Sequence, residues 1–145
     1  MKINFTKRDL ESHDALGLIV RDTAGHFLCF YHKKFSFWTI PLGKAEVDQT
    51  PEQAVVSEAR EECGIEVLEV VKRYQATRVY LRESVRVVAF FFLYEIVKFE
   101  GQIQNREPHK HLQMVFKSIE ELRDLPETSD ATKLLIACID EIGLD

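Results

Sequence analysis

The sequence predicts an α+β domain: a mixed β-sheet with one central polar helix and one amphipathic helix near the C-terminus. Three observations carry this reading. Short apolar, β-branched runs punctuated by turns occupy the first third of the chain. A polar stretch with a full set of helix signals follows, from Thr50 to Gly64. Two long segments rich in Val, Tyr and Phe come next, and a segment with helical apolar spacing closes the chain.

Ala15 to Val20 is apolar and short, Asp22 to Gly25 is a turn, and His26 to His32 resumes with Phe, Leu, Cys and Tyr. This pattern predicts a hairpin or two neighbouring strands. Ser36 to Ile40 is a further short strand, stopped by Pro41. The helix should run from about Pro51 to Cys63. Thr50 can cap it, Pro51 suits its first position, Gln53 completes a capping box, and Gly64 suits a left-handed terminator. Glu66 to Leu81 and Ser84 to Val97 read as strands, with a turn near Arg82 and Glu83. Phe90, Phe91 and Phe92 in succession must serve both faces of a buried strand. Leu112 to Lys117 is another strand, and Ser118 to Leu122 begins like a capped helical turn. In Ser129 to Ile142, Leu134, Leu135, Ala137, Cys138, Ile139 and Ile142 recur at helical spacing before Gly143.

The 145 residues contain no linker, internal repeat or low-complexity segment, so one domain over 1–145 is expected. Hydrophobic residues are 46% and charged residues 30%, which excludes disordered and disulfide-scaffold classes. The net charge of −5 argues against a nucleic-acid partner, because no basic surplus exists to neutralise a phosphate backbone. Cys29, Cys63 and Cys138 are odd in number and lack metal-ligand spacing, as reduced thiols would be. The N-terminus has no apolar signal region, and the longest apolar run, Val87 to Tyr94, is too short to span a bilayer. The expectation is a cytoplasmic protein with no membrane partner, and the role of residues 1–12 stays open.

The chemistry points to the central helix. At 100° per residue, Glu58 and Glu62 lie about 40° apart and Glu58 and Glu61 about 60° apart, so all three carboxylates share a face. Such crowding destabilises a helix unless a cation is present. Oxygen ligands on a rigid support suit Mg²⁺ or Mn²⁺, with substrate phosphate completing the shell. By spacing alone, a solvated helix face is the simpler reading.

The flanks change that weighting. Pro41-Leu42-Gly43-Lys44 leads through Gln49-Thr50-Pro51 to Ser57-Glu58-Ala59-Arg60-Glu61-Glu62-Cys63-Gly64-Ile65. This stretch, 43–65, resembles the Nudix box, G-x5-E-x7-R-E-U-x-E-E-x-G-U with U apolar. Gly43, Glu58, Ala59, Glu61, Glu62, Gly64 and Ile65 fall on matching positions without a gap. Trp38 to Pro41 looks like the strand leading into the box. Glu107-Pro108-His109-Lys110-His111, with Phe116 and Glu120-Glu121-Leu122, is similar to the late segment of nucleoside-triphosphate-cleaving members. Two positions depart from the pattern: Gln49 stands for Glu, and Ser57 for an Arg that helps hold the box loop to its helix. Leu42 also replaces the first Gly of the usual pair. Arg60, three residues beyond Ser57, is the candidate to take over part of the lost role.

The resemblance implies an α/β/α sandwich, with a mixed sheet between the box helix and a C-terminal helix. It implies Mg²⁺- or Mn²⁺-dependent hydrolysis of a nucleoside diphosphate linked to another moiety, first of all a triphosphate cleaved to monophosphate and pyrophosphate. Glu58, Glu61 and Glu62 would be catalytic, and Gly43, Gln49, Glu58, Glu61 and Glu62 would hold metal. Lys33, Trp38, Lys44 and Glu107 would meet substrate, and Glu107 is an alternative base. The partner would be a small nucleotide or nucleotide-like diphosphate; the family forms monomers and homodimers. The competing expectation, prompted by Gln49 and Ser57, is a nucleotide-binding module with weak or no hydrolysis. Trp38 and Phe37 could each stack on a base, but strand alternation lets only one face a cleft. His109 and His111 would point the same way on a strand, yet two ligands do not make a zinc site. Cys63 reads as packing.

Overall fold

The computed structural model describes residues 14–46, 48–82 and 84–143. Glu83, named above in the expected turn, and residues 1–12 lie outside the described residues. The elements in order are β1 (Asp14–Ile19), β2 (Phe27–His32), β3 (Phe37–Thr39), β4 (Leu42–Ala45), α1 (Pro51–Cys63), β5 (Glu66–Arg82), β6 (Val85–Glu100), β7 (His111–Lys117), α2 (Ile119–Arg123) and α3 (Asp130–Ile142).

The strands form two sheets. One is mixed and ordered β4-β1-β6-β5; the other is antiparallel and ordered β3-β2-β7. β1 pairs in parallel with β6, from Ala15 opposite Phe91 to Ile19 opposite Glu95, and antiparallel with β4. The expected β1–β2 hairpin is therefore corrected. The two strands belong to different sheets and meet only where they join, through the Arg21–Phe27 bridge and Leu28 N–H donating to Val20 C=O. The reason is burial. Ala15 to Val20 is apolar at almost every position, and such a strand gains most between two partners with both faces covered.

Both faces are covered as an α/β/α sandwich requires. Leu16, Leu18, Phe92, Tyr94 and Ile96 pack with Ala54, Val55, Ala59 and Cys63 of α1. Ala15, Ile19, Phe91 and Leu93 pack with Ala131, Leu134, Leu135 and Cys138 of α3. Phe91 and Phe92 thus point to opposite layers, as adjacent strand residues must.

The central helix follows its sequence signals. Thr50 and Gln53 form a reciprocal capping box, Pro51 opens the first turn, and Gly64 ends it at φ 69°. Ser118 and Glu121 cap α2 the same way, and Ser129 caps α3. β4 is a strand that local composition did not announce. Leu-Gly-Lys-Ala has low β propensity, and only pairing with β1 makes it one. That pairing lays Gly43 against α1. No helix among the described residues is long and apolar enough to cross a membrane.

Candidate active site

A cleft of about 850 Å³ opens beside β4 and α1. Gly43, Lys44, Glu46, Glu58 and Glu62 line one part of it. Lys34, Phe35, Phe37, Lys110, His111, Ser129, Asp130 and Lys133 line much of the rest.

Glu58 sits hard against β4. A Cβ built on Gly43 would lie 2.3 Å from Glu58 Cγ and 2.8 Å from its Cδ, so glycine alone permits this approach. The Lys44 backbone N–H donates to the Glu58 carboxylate. Burial, then the neighbouring Glu61 charge, pushes the Glu58 pKa up from 4.5 to about 7, against the pull of Lys110. Glu62 is buried at 3% exposure, and its Oε2 has no hydrogen-bond partner. Burial and then Glu58 hold its pKa well above the ordinary carboxylate range. Burial, followed by Glu62 and Glu58, also pushes Cys63 to about 12, which makes it an inert packing thiol.

These shifts give the metal-free protein a definite pH dependence. Glu58 and Glu62 hold protons in the native state above the pH at which the unfolded chain releases them. The associated stability is complete below the unfolded value and is lost as pH rises toward the folded one. In EDTA, the melting temperature should fall between about pH 5 and about pH 8, and Glu58→Gln should flatten that slope. An unchanged slope in Glu58→Gln, followed by calorimetry, would contradict this assignment.

A loop after β6 closes the other side. Gln104 N–H donates to Cys63 C=O at 2.9 Å and Arg106 N–H to Glu62 C=O at 3.1 Å, tying the loop to the end of α1. Asn105 Nδ2 donates to His111 C=O, and Lys110 N–H donates to Glu107 C=O. This brings Glu107 and Lys110 to the carboxylates, with Lys110 Nζ 3.8 Å from Glu107 Oε1. His111 lies across from His32, ring centroids 5.5 Å apart, and stacks on Phe30 at 4.2 Å. Burial, then His32 and Lys110, pulls its pKa to about 4, so it is neutral at neutral pH. His109 is exposed in the preceding turn, so the two histidines do not point together. A turn cannot keep strand alternation.

The other expected residues are placed as follows. Glu61 is exposed and acts on Glu58 through its charge. Gln49 does not line the cleft: its Oε1 accepts from Glu46 N–H at 3.1 Å, and its Nε2 donates to Ser57 Oγ at 3.4 Å. The two departures from the box pattern thus meet each other, as an amide and a hydroxyl. Arg60 takes no part there, because Glu66 holds its guanidinium in a bidentate pair. Strand alternation puts Phe37 on the cleft and leaves Trp38 off it, with Tyr31 and Lys117 against its ring. Lys33 is exposed, and its neighbour Lys34 lines the cleft instead. Asp130, Ser129 and Lys133 come from α3, far away in sequence.

The residues fit a divalent cation. Glu62 presents a buried, unpartnered oxygen, Glu58 lies in a cradle kept open by Gly43, and all the donors are hard carboxylate oxygens. Among the described residues, no three His, Cys, Asp or Glu side chains converge as a ready-made metal site, so the fit rests on this pair.

The NUDIX domain model matches residues 11–138, nearly the whole chain. The chain belongs to the Nudix family. Its fold matches a MutT Nudix hydrolase from Burkholderia pseudomallei at 21% identity and TM-score 0.68, covering 88% of this chain and 97% of the other. It matches the E. coli ORF135 protein at 25% identity and TM-score 0.69, covering 88% of each chain. A C. elegans Ap4A hydrolase matches at 19% identity and TM-score 0.58, over 88% of this chain and 93% of that one. No curated protein matches significantly. As a Nudix hydrolase the chain acts on pyrophosphate bonds of nucleoside-diphosphate-linked substrates, in a family that generally uses divalent metal ions.

The glycine of the Nudix box gives a direct test of the cradle. Gly43→Ala must displace Glu58, since the added carbon overlaps its side chain. A shift of about 1 Å in a catalytic group lowers rate roughly 10²-fold. A loss of that order in kcat/KM, with an unchanged circular dichroism spectrum, is the expected result.

Proposed function

We propose that this Nudix domain hydrolyses nucleoside triphosphates to monophosphate and pyrophosphate with Mg²⁺ or Mn²⁺. The observation that carries the reading is the Glu58–Glu62 pair: two adjacent carboxylates, Glu58 partly buried and Glu62 buried with an unpartnered oxygen, in a cleft that also holds Lys34, Lys44, Lys110 and Lys133. Glu58 and Glu62, joined by Glu61 and the Gly43 carbonyl, would hold the cation. When bound, the cation neutralises charge on the diphosphate and acidifies water.

The chain's own residues do the rest. Glu58, held against Gly43 in the cleft, is the first candidate to take a proton from the attacking water. Glu107 is the second candidate for that proton. The lysines bind the phosphate chain as point charges. Phe35 and Phe37, with ring centroids 5.3 Å apart, offer an aromatic wall for a base, and Asp130 offers an acceptor beside it.

The test is phosphate and pyrophosphate release from nucleoside triphosphates, dinucleoside polyphosphates and ADP-ribose, with and without Mg²⁺ or Mn²⁺. Metal-dependent pyrophosphate release from a triphosphate is the expected outcome. Release from another panel member would move the substrate class. A second reading, a nucleotide-binding module, is favoured by Gln49 and Ser57. If folded wild type releases nothing and Gln49→Glu with Ser57→Arg restores turnover, that reading replaces the first.

A further inference from the structure

Lys110 lies in the cleft with Glu58 and Glu62, and its ammonium is 3.8 Å from Glu107. Its backbone is held on both sides: its N–H donates to Glu107 C=O at 2.9 Å, and its C=O accepts from Lys33 N–H at 2.9 Å. The same loop is bonded to the Glu62 carbonyl through Arg106 N–H. These bonds fix the Lys110 backbone beside the end of α1, and its side chain lines the same cleft as Glu58 and Glu62. Among the described residues, it is the cation whose charge acts on both Glu58 and Glu62. Buried carboxylates without a counter-charge are costly.

We infer that Lys110 is the built-in counter-ion of the metal-free carboxylate site and competes with the divalent cation for it. The inference rests on the proposed metal-dependent function. A dication entering beside Glu58 and Glu62 meets the ammonium as a like charge. Lys110 thus weakens metal binding while it steadies the empty site. With the cation in place, its ammonium is free to pair with substrate phosphate, which couples tight metal binding to the presence of substrate.

The test is Mn²⁺ binding, followed by the electron paramagnetic resonance signal of free Mn²⁺, together with melting in EDTA. Wild type, Lys110→Met and Lys110→Arg are compared, with Lys110→Gln replacing the Met variant should that one aggregate. Lys110→Met should bind Mn²⁺ about tenfold more tightly. It should also melt at lower temperature than wild type in EDTA, and Mn²⁺ should narrow the gap. Lys110→Arg should bind like wild type. Equal or weaker Mn²⁺ binding by Lys110→Met overturns the inference and leaves the proposed function standing. No Mn²⁺ binding by folded wild type overturns both.

Discussion

Glu62→Gln should lose metal-dependent turnover while the metal-free protein becomes more stable. Glu62 carries a buried oxygen without a partner and lies beside Glu58, so the empty site stores desolvation and repulsion. Gln has nearly the same shape and no charge. Removing the charge relieves the empty site and raises its melting temperature. It also removes a ligand, and the charge stabilisation a cation supplies is worth several kcal/mol, or roughly a 10³-fold change in rate. Steady-state kinetics with saturating Mg²⁺ and calorimetry in EDTA measure the two halves. A variant that keeps more than about a tenth of wild-type kcat/KM would remove Glu62 from the machinery. A variant that both loses activity and melts earlier would make Glu62 a structural residue.

Glu95→Ala should be the most damaging substitution for stability among the charged residues described. Glu95 is 4% exposed in the middle of the mixed sheet. Arg21 Nε donates to its Oε2 at 2.7 Å, and Arg73 Nε donates to its Oε1 at 2.9 Å. Removing the carboxylate leaves two partly buried guanidinium groups beside the vacated, buried position. Breaking a buried ion pair from one side costs about 3–5 kcal/mol. For a domain of this length, that lowers the melting temperature by roughly 10 °C. None of the three residues lines the cleft, so activity per folded molecule should persist. An apolar triple replacement, Arg21→Met, Glu95→Leu and Arg73→Met, should recover most of the loss. A change below about 1 kcal/mol for Glu95→Ala in urea unfolding would place the cluster among weak surface pairs.

Much of the α1 region was legible in local sequence. The caps of α1, its termination at Gly64, and Glu58, Glu61 and Glu62 on one face all follow from neighbours a few residues apart. The resemblance to the Nudix box is carried by the same short stretch. Prediction failed where partners are distant. β1 and β2 read as a hairpin or two neighbouring strands, because adjacent apolar runs usually pair, yet they entered different sheets. Trp38 is the residue the sequence places against substrate, yet pairing with β2 sets Phe37 on the cleft in its stead.

Capping and helical spacing are local properties of the chain, so the helix that carries the carboxylates follows from near neighbours alone. Tertiary structure decided what those carboxylates became. It separated exposed Glu61 from buried Glu62, brought Gly43 against Glu58 through the β4–β1 pairing, and set Lys110 and Asp130 into the same cleft. The physical reason is that burial and charge proximity depend on every element packed around a group, and desolvation is the largest influence on both Glu58 and Glu62.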